Sequence, residues 1–76
     1  MQLKDIITRD KGILGGIPVF TGTRVPVDSL IAHLKAGIPL DEFLDDFPSV
    51  KREQAVALLE RLEETLLAEL DDARAA

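Results

Sequence analysis

Lys51 and Arg52 stand side by side at the head of the last apolar-periodic segment, with Val56 and Ala57 about a turn further on. Cationic side chains there suit phosphate or guanine contacts, and small apolar ones suit a thymine methyl. In a helix-turn-helix, the N-terminal part of the recognition helix meets the base edges. The same residues also read as the solvated face of a plain amphipathic helix. Three further cations, Arg9, Lys11 and Arg24, lie upstream and suit contacts to a nucleic-acid backbone. Arg24, set between Gly22-Thr23 and Val25-Pro26, could bind phosphate bidentately. The favoured alternative is structural: an arginine satisfying carbonyls or a carboxylate where the N-terminal arm joins the first helix.

Other chemistry is hard to assemble. His33 is the only histidine, and Ser29 lies one turn before it, but no acid is placed to complete a triad. His33 falls off the apolar stripe of its segment and reads as a solvated or interface residue. Asp41, Glu42, Asp45 and Asp46 pair as like charges four residues apart, whereas a hard cation prefers oxygens converging from several elements. They read as a solvated acidic face, pointing away from DNA or toward a basic partner. Gly15, Gly16 and Gly22 imply positive φ or tight backbone approach, but no Gly-Lys-Ser/Thr opens a helix to make a phosphate loop. No catalytic residue, metal or cofactor is therefore expected, and an enzyme is the least favoured class.

Local periodicity defines what must hold these residues. Leu3 to Thr8 is short and β-branched and reads as a strand, with further extended pieces at Ile13-Leu14 and Ile17 to Phe20, either side of Gly15-Gly16, and at Arg24-Val25-Pro26. The first helix spans about Val27 to Ala36, with Val27, Leu30, Ile31 and Leu34 on one stripe; Gly37 ends it. The second spans about Leu40 to Phe47, with Leu40, Phe43, Leu44 and Phe47 facing inward and Pro48 stopping it. The third runs from about Arg52 to Asp71 or Asp72, its buried face expected at Ala55, Leu58, Leu59, Leu62, Leu66 and Leu70. The chain thus reads as one domain over residues 1–76: a β arm (1–26), two short helices (27–48) and a third, extended one (51–72).

At about 1.5 Å per residue, the third helix outruns a trihelical core by two to three turns. Leu66, Leu67 and Leu70 are then exposed in a monomer. Either the helix lies back over the arm, or these leucines form a partner or dimer surface.

Seventy-six residues allow one small core, worth roughly 3–5 kcal/mol on its own. With no cysteine, neither a disulfide nor a Cys-ligated metal staples it, which favours oligomerisation, most simply a homodimer. No apolar run approaches the roughly 18 residues that span a bilayer. The N-terminus lacks the apolar core of a signal peptide. A cytoplasmic location without membrane contact is expected.

The net charge of −5 opposes binding to nucleic acid, but it is unevenly spread. Lys4, Arg9, Lys11 and Arg24 against Asp5 and Asp10 leave residues 1–26 at +2. Lys35 against five acids leaves residues 27–50 at −4, and Lys51, Arg52, Arg61 and Arg74 against seven leave residues 51–76 at −3. Positive charge collects in the arm and at the start of the third helix.

Ile13-Leu14-Gly15-Gly16-Ile17-Pro18-Val19, then Gly22-Thr23-Arg24-Val25-Pro26-Val27, then Ala36-Gly37 and Phe47-Pro48, together resemble the bacterial domain-of-unknown-function 433 family. The likeness covers about Ile6 to Leu62. It implies a mainly α fold, a homeodomain-like (or winged-type) trihelical helix-turn-helix with a short N-terminal β arm and an extended C-terminal helix, and an antitoxin-like function beside a PIN-like nuclease. Two departures stand out. Pro39 and Lys51 occupy positions where the family usually places a Ser or Thr N-cap, a loss of about 1 kcal/mol each. The leucine-rich C-terminus is also less typical.

The expected function is therefore DNA binding by an antitoxin-like protein that represses its own operon and neutralises a PIN-like nuclease. DNA contacts fall to Lys51, Arg52, Val56, Ala57, Arg24, Arg9 and Lys11, and partner contacts to Leu66, Leu67 and Leu70. The alternative is a protein-interaction module with a helix-turn-helix shape and no DNA binding.

Overall fold

The computed structural model describes residues 1–75, with side chains through residue 72. The elements are α1 (Leu3–Ile6), β1 (Ile7–Thr8), a 3-10 turn (Leu14–Gly16), β2 (Val19–Phe20), α2 (Val27–Lys35), α3 (Leu40–Asp46) and α4 (Arg52–Ala75). The protein is mainly helical, with a two-stranded sheet in its N-terminal arm.

That arm departs from the strand expected over Leu3 to Thr8: its first four residues coil into α1. The Asp5 carboxylate accepts the Gln2 backbone N–H at 3.0 Å, and Gln2 O accepts the Asp5 N–H at 2.9 Å, closing one turn. Helical spacing then drives Ile6 fully into the core while α1 packs on α4. Only Ile7 and Thr8 remain extended. They pair antiparallel with β2 of the same chain, Ile7 opposite Phe20 and Thr8 opposite Val19. Two hydroxyls clamp the pair. Thr21 donates to Lys4 O at 2.8 Å, so Thr8 is the donor in its 2.9 Å contact with Thr21.

The arm joins the helices through a tight knot. Gly22 adopts φ +81°, which an L side chain rarely tolerates, and the chain reverses there. Thr23, nearly buried, donates its hydroxyl to Phe20 O (2.8 Å) and accepts the Val25 N–H (3.0 Å). The Phe20 N–H reaches Val25 O, and the Val27 N–H reaches Pro18 O. The extended Arg24-Val25-Pro26 segment so lies alongside β2 and aims α2 across the core.

Helix α2 buries Leu30 completely, with Val27 and Leu34 packed at the margin. It ends as the sequence predicts. Gly37 sits at φ +80°, the Gly37 N–H reaches Leu34 O and the Ile38 N–H reaches His33 O, closing the last turn in a Schellman arrangement. Helix α3 starts at Pro39 without a side-chain cap and buries Phe43. Phe43 meets Phe20 at 6.3 Å and Phe47 at 4.9 Å between ring centroids. His33, expected to be solvated or at an interface, is half-buried between α2 and α3. Its ring stands edge-on to Phe43 and Phe47 at 5.2 and 5.6 Å, and Nδ1 contacts Ser29 O at 2.6 Å.

Helix α4 begins where expected and extends to Ala75, beyond the expected end near Asp72. Ala55 and Leu58 are buried and Leu59 packs beside them. The stripe is uncovered beyond that point. Leu62, Leu66 and Leu70, expected on the buried face, are 47, 57 and 50 % exposed. Periodicity marks an apolar face, but burial needs something opposite it, and the core ends one turn after Ala55.

Candidate functional site

Candidate residues fall at the two ends of α4 and along the arm. At its start Lys51 is exposed, Arg52 projects and Val56 is 38 % exposed. Ala57, expected beside them on the open face, is instead half-buried and packs against the core. Its methyl is poorly placed to meet a base. Lys51 lacks a capping oxygen, yet its N–H is satisfied. Gln54 Oε1 accepts it at 3.1 Å, half of a capping box.

Arg52 is not a free cation. Its guanidinium forms an ion pair with Asp41 at the start of α3. The acidic face of α3 was expected to point away from DNA or toward a basic partner; one of its members, Asp41, pairs with a cation of the DNA-reading edge itself. Both side chains are well exposed, at 56 and 78 %. Such pairs are worth about 0–1 kcal/mol.

Arg24 also departs from the role favoured for it. Among the described residues it makes no hydrogen bond or ion pair; Thr23 does the stitching instead. Arg24 lines an open groove of 510 Å³ that includes Thr8, Ile13, Gly22 and Ser49. Ser49 ties this groove to the α3–α4 connection, two residues before Lys51. Arg9 and Lys11 line a separate 360 Å³ hollow with Gly15 and Gly16, and Arg9 Nε donates to Gly16 O at 3.2 Å. Arg24 thus lines one hollow, Arg9 and Lys11 line another, and Lys51 and Arg52 stand at the head of α4.

At the far end of α4, Leu62, Leu66, Leu67 and Leu70 are all 47–57 % exposed. The expected partner surface is therefore open, and the alternative of a helix lying back over the arm is not adopted. Arg61 Nη2 donates to Met1 O at 3.2 Å, the outermost hydrogen bond between this helix and the arm among the described residues. Among the described residues no three or more His, Cys, Asp or Glu side chains come together as a metal site would need. No described helix is long and apolar enough to cross a membrane.

Gln54 was missed in the sequence beyond its capping position. It is 4 % exposed, and its Nε2 donates both to Asp5 O (3.1 Å) and to Thr21 O (2.9 Å). One amide so fastens α4 to both halves of the arm. Its partners lie 49 and 33 residues away, so spacing carries no trace of them.

The profile of the family described as "Protein of unknown function (DUF433)" matches residues 7–60, which takes in the arm knot, α2, α3 and the buried start of α4. The chain belongs to the DUF433 family. It is similar to an uncharacterized protein, y4eO, of Sinorhizobium fredii (strain NBRC 101917 / NGR234), at 41 % identity over 51 residues. That match covers 67 % of this chain but only 23 % of y4eO, so this DUF433 protein spans under a quarter of its relative's length. A crystal structure of a DUF433 member from Anabaena variabilis ATCC 29413 superposes with a TM-score of 0.68 at 28 % identity, over 97 % of this chain and 72 % of that one. The family match stops at residue 60, short of Leu62 and the leucines beyond.

Proposed function

We propose that this DUF433 protein is an antitoxin-like adaptor. The far half of α4 neutralises a partner nuclease of the PIN-like class, and the head of α4 binds DNA upstream of its own gene. The observation that carries the proposal is the run of half-exposed leucines on a helix that has left its own core. Fully burying a leucine stabilises by about 1.5–3 kcal/mol, so covering four half-exposed ones offers about 3–6 kcal/mol before ordering costs. That surface is more than solvation of a lone helix requires.

The DNA-binding half rests on α3 and α4 following one another across the short 47–51 connection, with Lys51, Arg52 and Val56 on the leading edge. The Asp41 pair does not forbid it, because an exposed pair is weak and a charge-assisted phosphate contact competes with it. A single chain neutralises few phosphates, and affinity grows with their number. DNA binding then belongs to an assembly, either a homodimer or the complex with a basic nuclease, and not to the lone chain in a reducing cytoplasm. No catalytic role is assigned.

A second reading keeps the partner surface and drops the DNA. The pairing of Arg52 with Asp41 and the net charge of −5 favour it. A mobility-shift assay on the DNA upstream of the gene, with and without the neighbouring gene's product, separates the two. The first reading expects a shift with the partner present, lost in K51E/R52E while partner binding persists. No shift in either condition removes the DNA role and leaves the interaction module.

A further inference from the structure

We propose that the leucine ridge of α4 is built for an apolar groove bordered by Lys or Arg on a different polypeptide, and that it rejects a second copy of this chain. This rests on the partner-binding role above and adds the chemistry of the partner's face. Leu62, Leu66 and Leu70 recur every fourth residue and are about half exposed. Around the helix axis, Glu63 and Glu69 stand about 60° to either side of Leu66, and both are exposed. Leu67 lies about 40° beyond Glu63, so on that side the Glu63 carboxylate stands between apolar side chains and Glu60 and Asp71 form the outer border. Glu60, Glu64, Asp71 and Asp72 are exposed as well. Arg61, the only cation between residues 60 and 72, is drawn back to Met1 O at 3.2 Å.

The borders decide the occupant. A second copy laid along the ridge sets carboxylate against carboxylate in either direction. In a parallel pair Glu63 faces Glu69. In an antiparallel pair each side faces its own counterpart. Like charges along such a seam select against self-pairing. Aliphatic side chains bordered by lysines or arginines satisfy the leucines and both carboxylate rows together. A charged rim of this kind sets partner choice and encounter rate, while the apolar centre holds the complex. Any homodimer then forms through another surface.

Fluorescence anisotropy on the full chain tests the assignment with two synthetic helical peptides. Both carry one leucine stripe; lysines flank it in one and glutamates in the other. The lysine-flanked peptide is expected to bind at least about tenfold more tightly. Its affinity should fall as NaCl rises from about 0.05 to about 0.5 M, where the screening length shortens severalfold. L66A/L70A should lose the binding, and E63Q/E69Q should lose most of the salt dependence, with helicity retained by circular dichroism in both. Equal binding of the two peptides overturns the proposal. So does a lysine peptide held equally well by L66A/L70A, since charge alone then suffices. So does a dimer of the full chain, seen by sedimentation at low salt, that L66A/L70A dissolves. A chain that discriminates between the peptides yet leaves the neighbouring nuclease active sinks the antitoxin reading and preserves this one. Neutralisation of the nuclease that E63Q/E69Q leaves unchanged at every salt concentration does the reverse.

Discussion

In the first two turns of α4, Gln54, Ala55 and Leu58 are sealed between the arm and α3, with at most 4 % of their surface open. Two turns later, Leu66 and Leu67 are more than half open. Both halves carry apolar residues at helical spacing on one continuous rod. They differ in what stands opposite. Ile6, Phe20, Phe43 and Val50 converge on the near half, whereas among the described residues the arm's last hydrogen bond to the helix is made by Arg61. Folding energy is thus concentrated at one end, and unspent apolar surface at the other. A small domain that presents its leucines on a rod does not need them for its own core, and a bound partner adds to its stability by mass action.

The most disruptive test of this division is Phe43→Ala. Phe43 is fully buried at the meeting point of Phe20, Phe47 and His33. Its truncation should cost about 3–5 kcal/mol, comparable to the whole stability a core of this size supplies. The variant should be largely unfolded at 25 °C by circular dichroism. A cooperative melt only a few degrees lower would mean that stability is spread along α4 after all.

Gln54→Met comes next. The substitution keeps length and volume but leaves Asp5 O and Thr21 O without their donor and the Lys51 N–H without its acceptor. Unsatisfied buried groups cost about 1–3 kcal/mol each, with relaxation lowering the sum, so a loss of about 2–4 kcal/mol in urea unfolding is expected. A loss below about 1 kcal/mol would show that packing, not this amide, holds the arm to α4.

These two residues also mark where sequence reasoning reaches and where it stops. Phe43 was legible because it lies on the stripe Leu40, Phe43, Leu44, Phe47, bounded by Pro39 and Pro48. The boundaries of α2 and α3 and the positive φ of Gly22 and Gly37 followed from equally local rules. Gln54 was not legible as a fastener, because a polar residue on a helix is normally solvated and its partners are remote in sequence. The ring packing of His33 was hidden for the same reason: Phe43 and Phe47 come from the next helix. The strand expected at Leu3 gave way to α1 because one Asp5 carboxylate closes a turn that propensity alone disfavours. At the candidate site the residue types were legible, but the neighbours were not. No spacing rule foretold that Asp41 pairs with Arg52 or that Arg24 stands without a partner among the described residues.

The smallest expected effect is the sharpest test of the division. In the free chain, Leu66 and Leu70 lie on the uncovered half, so L66A/L70A removes little buried area. Alanine also has the higher helix propensity, which offsets part of what is lost. The unfolding free energy should stay within about 0.5 kcal/mol of the parent, as for surface substitutions away from special features. The urea midpoint and slope should both be unchanged, since the slope tracks the surface exposed on unfolding. A loss above about 1 kcal/mol would mean that these leucines pack on something in the unbound protein, and the far half of α4 would have to be read as core. An unchanged midpoint, set beside the collapse of Phe43→Ala, would place two leucine-rich turns of one helix outside the folding unit, which leaves binding as the reason for their exposure.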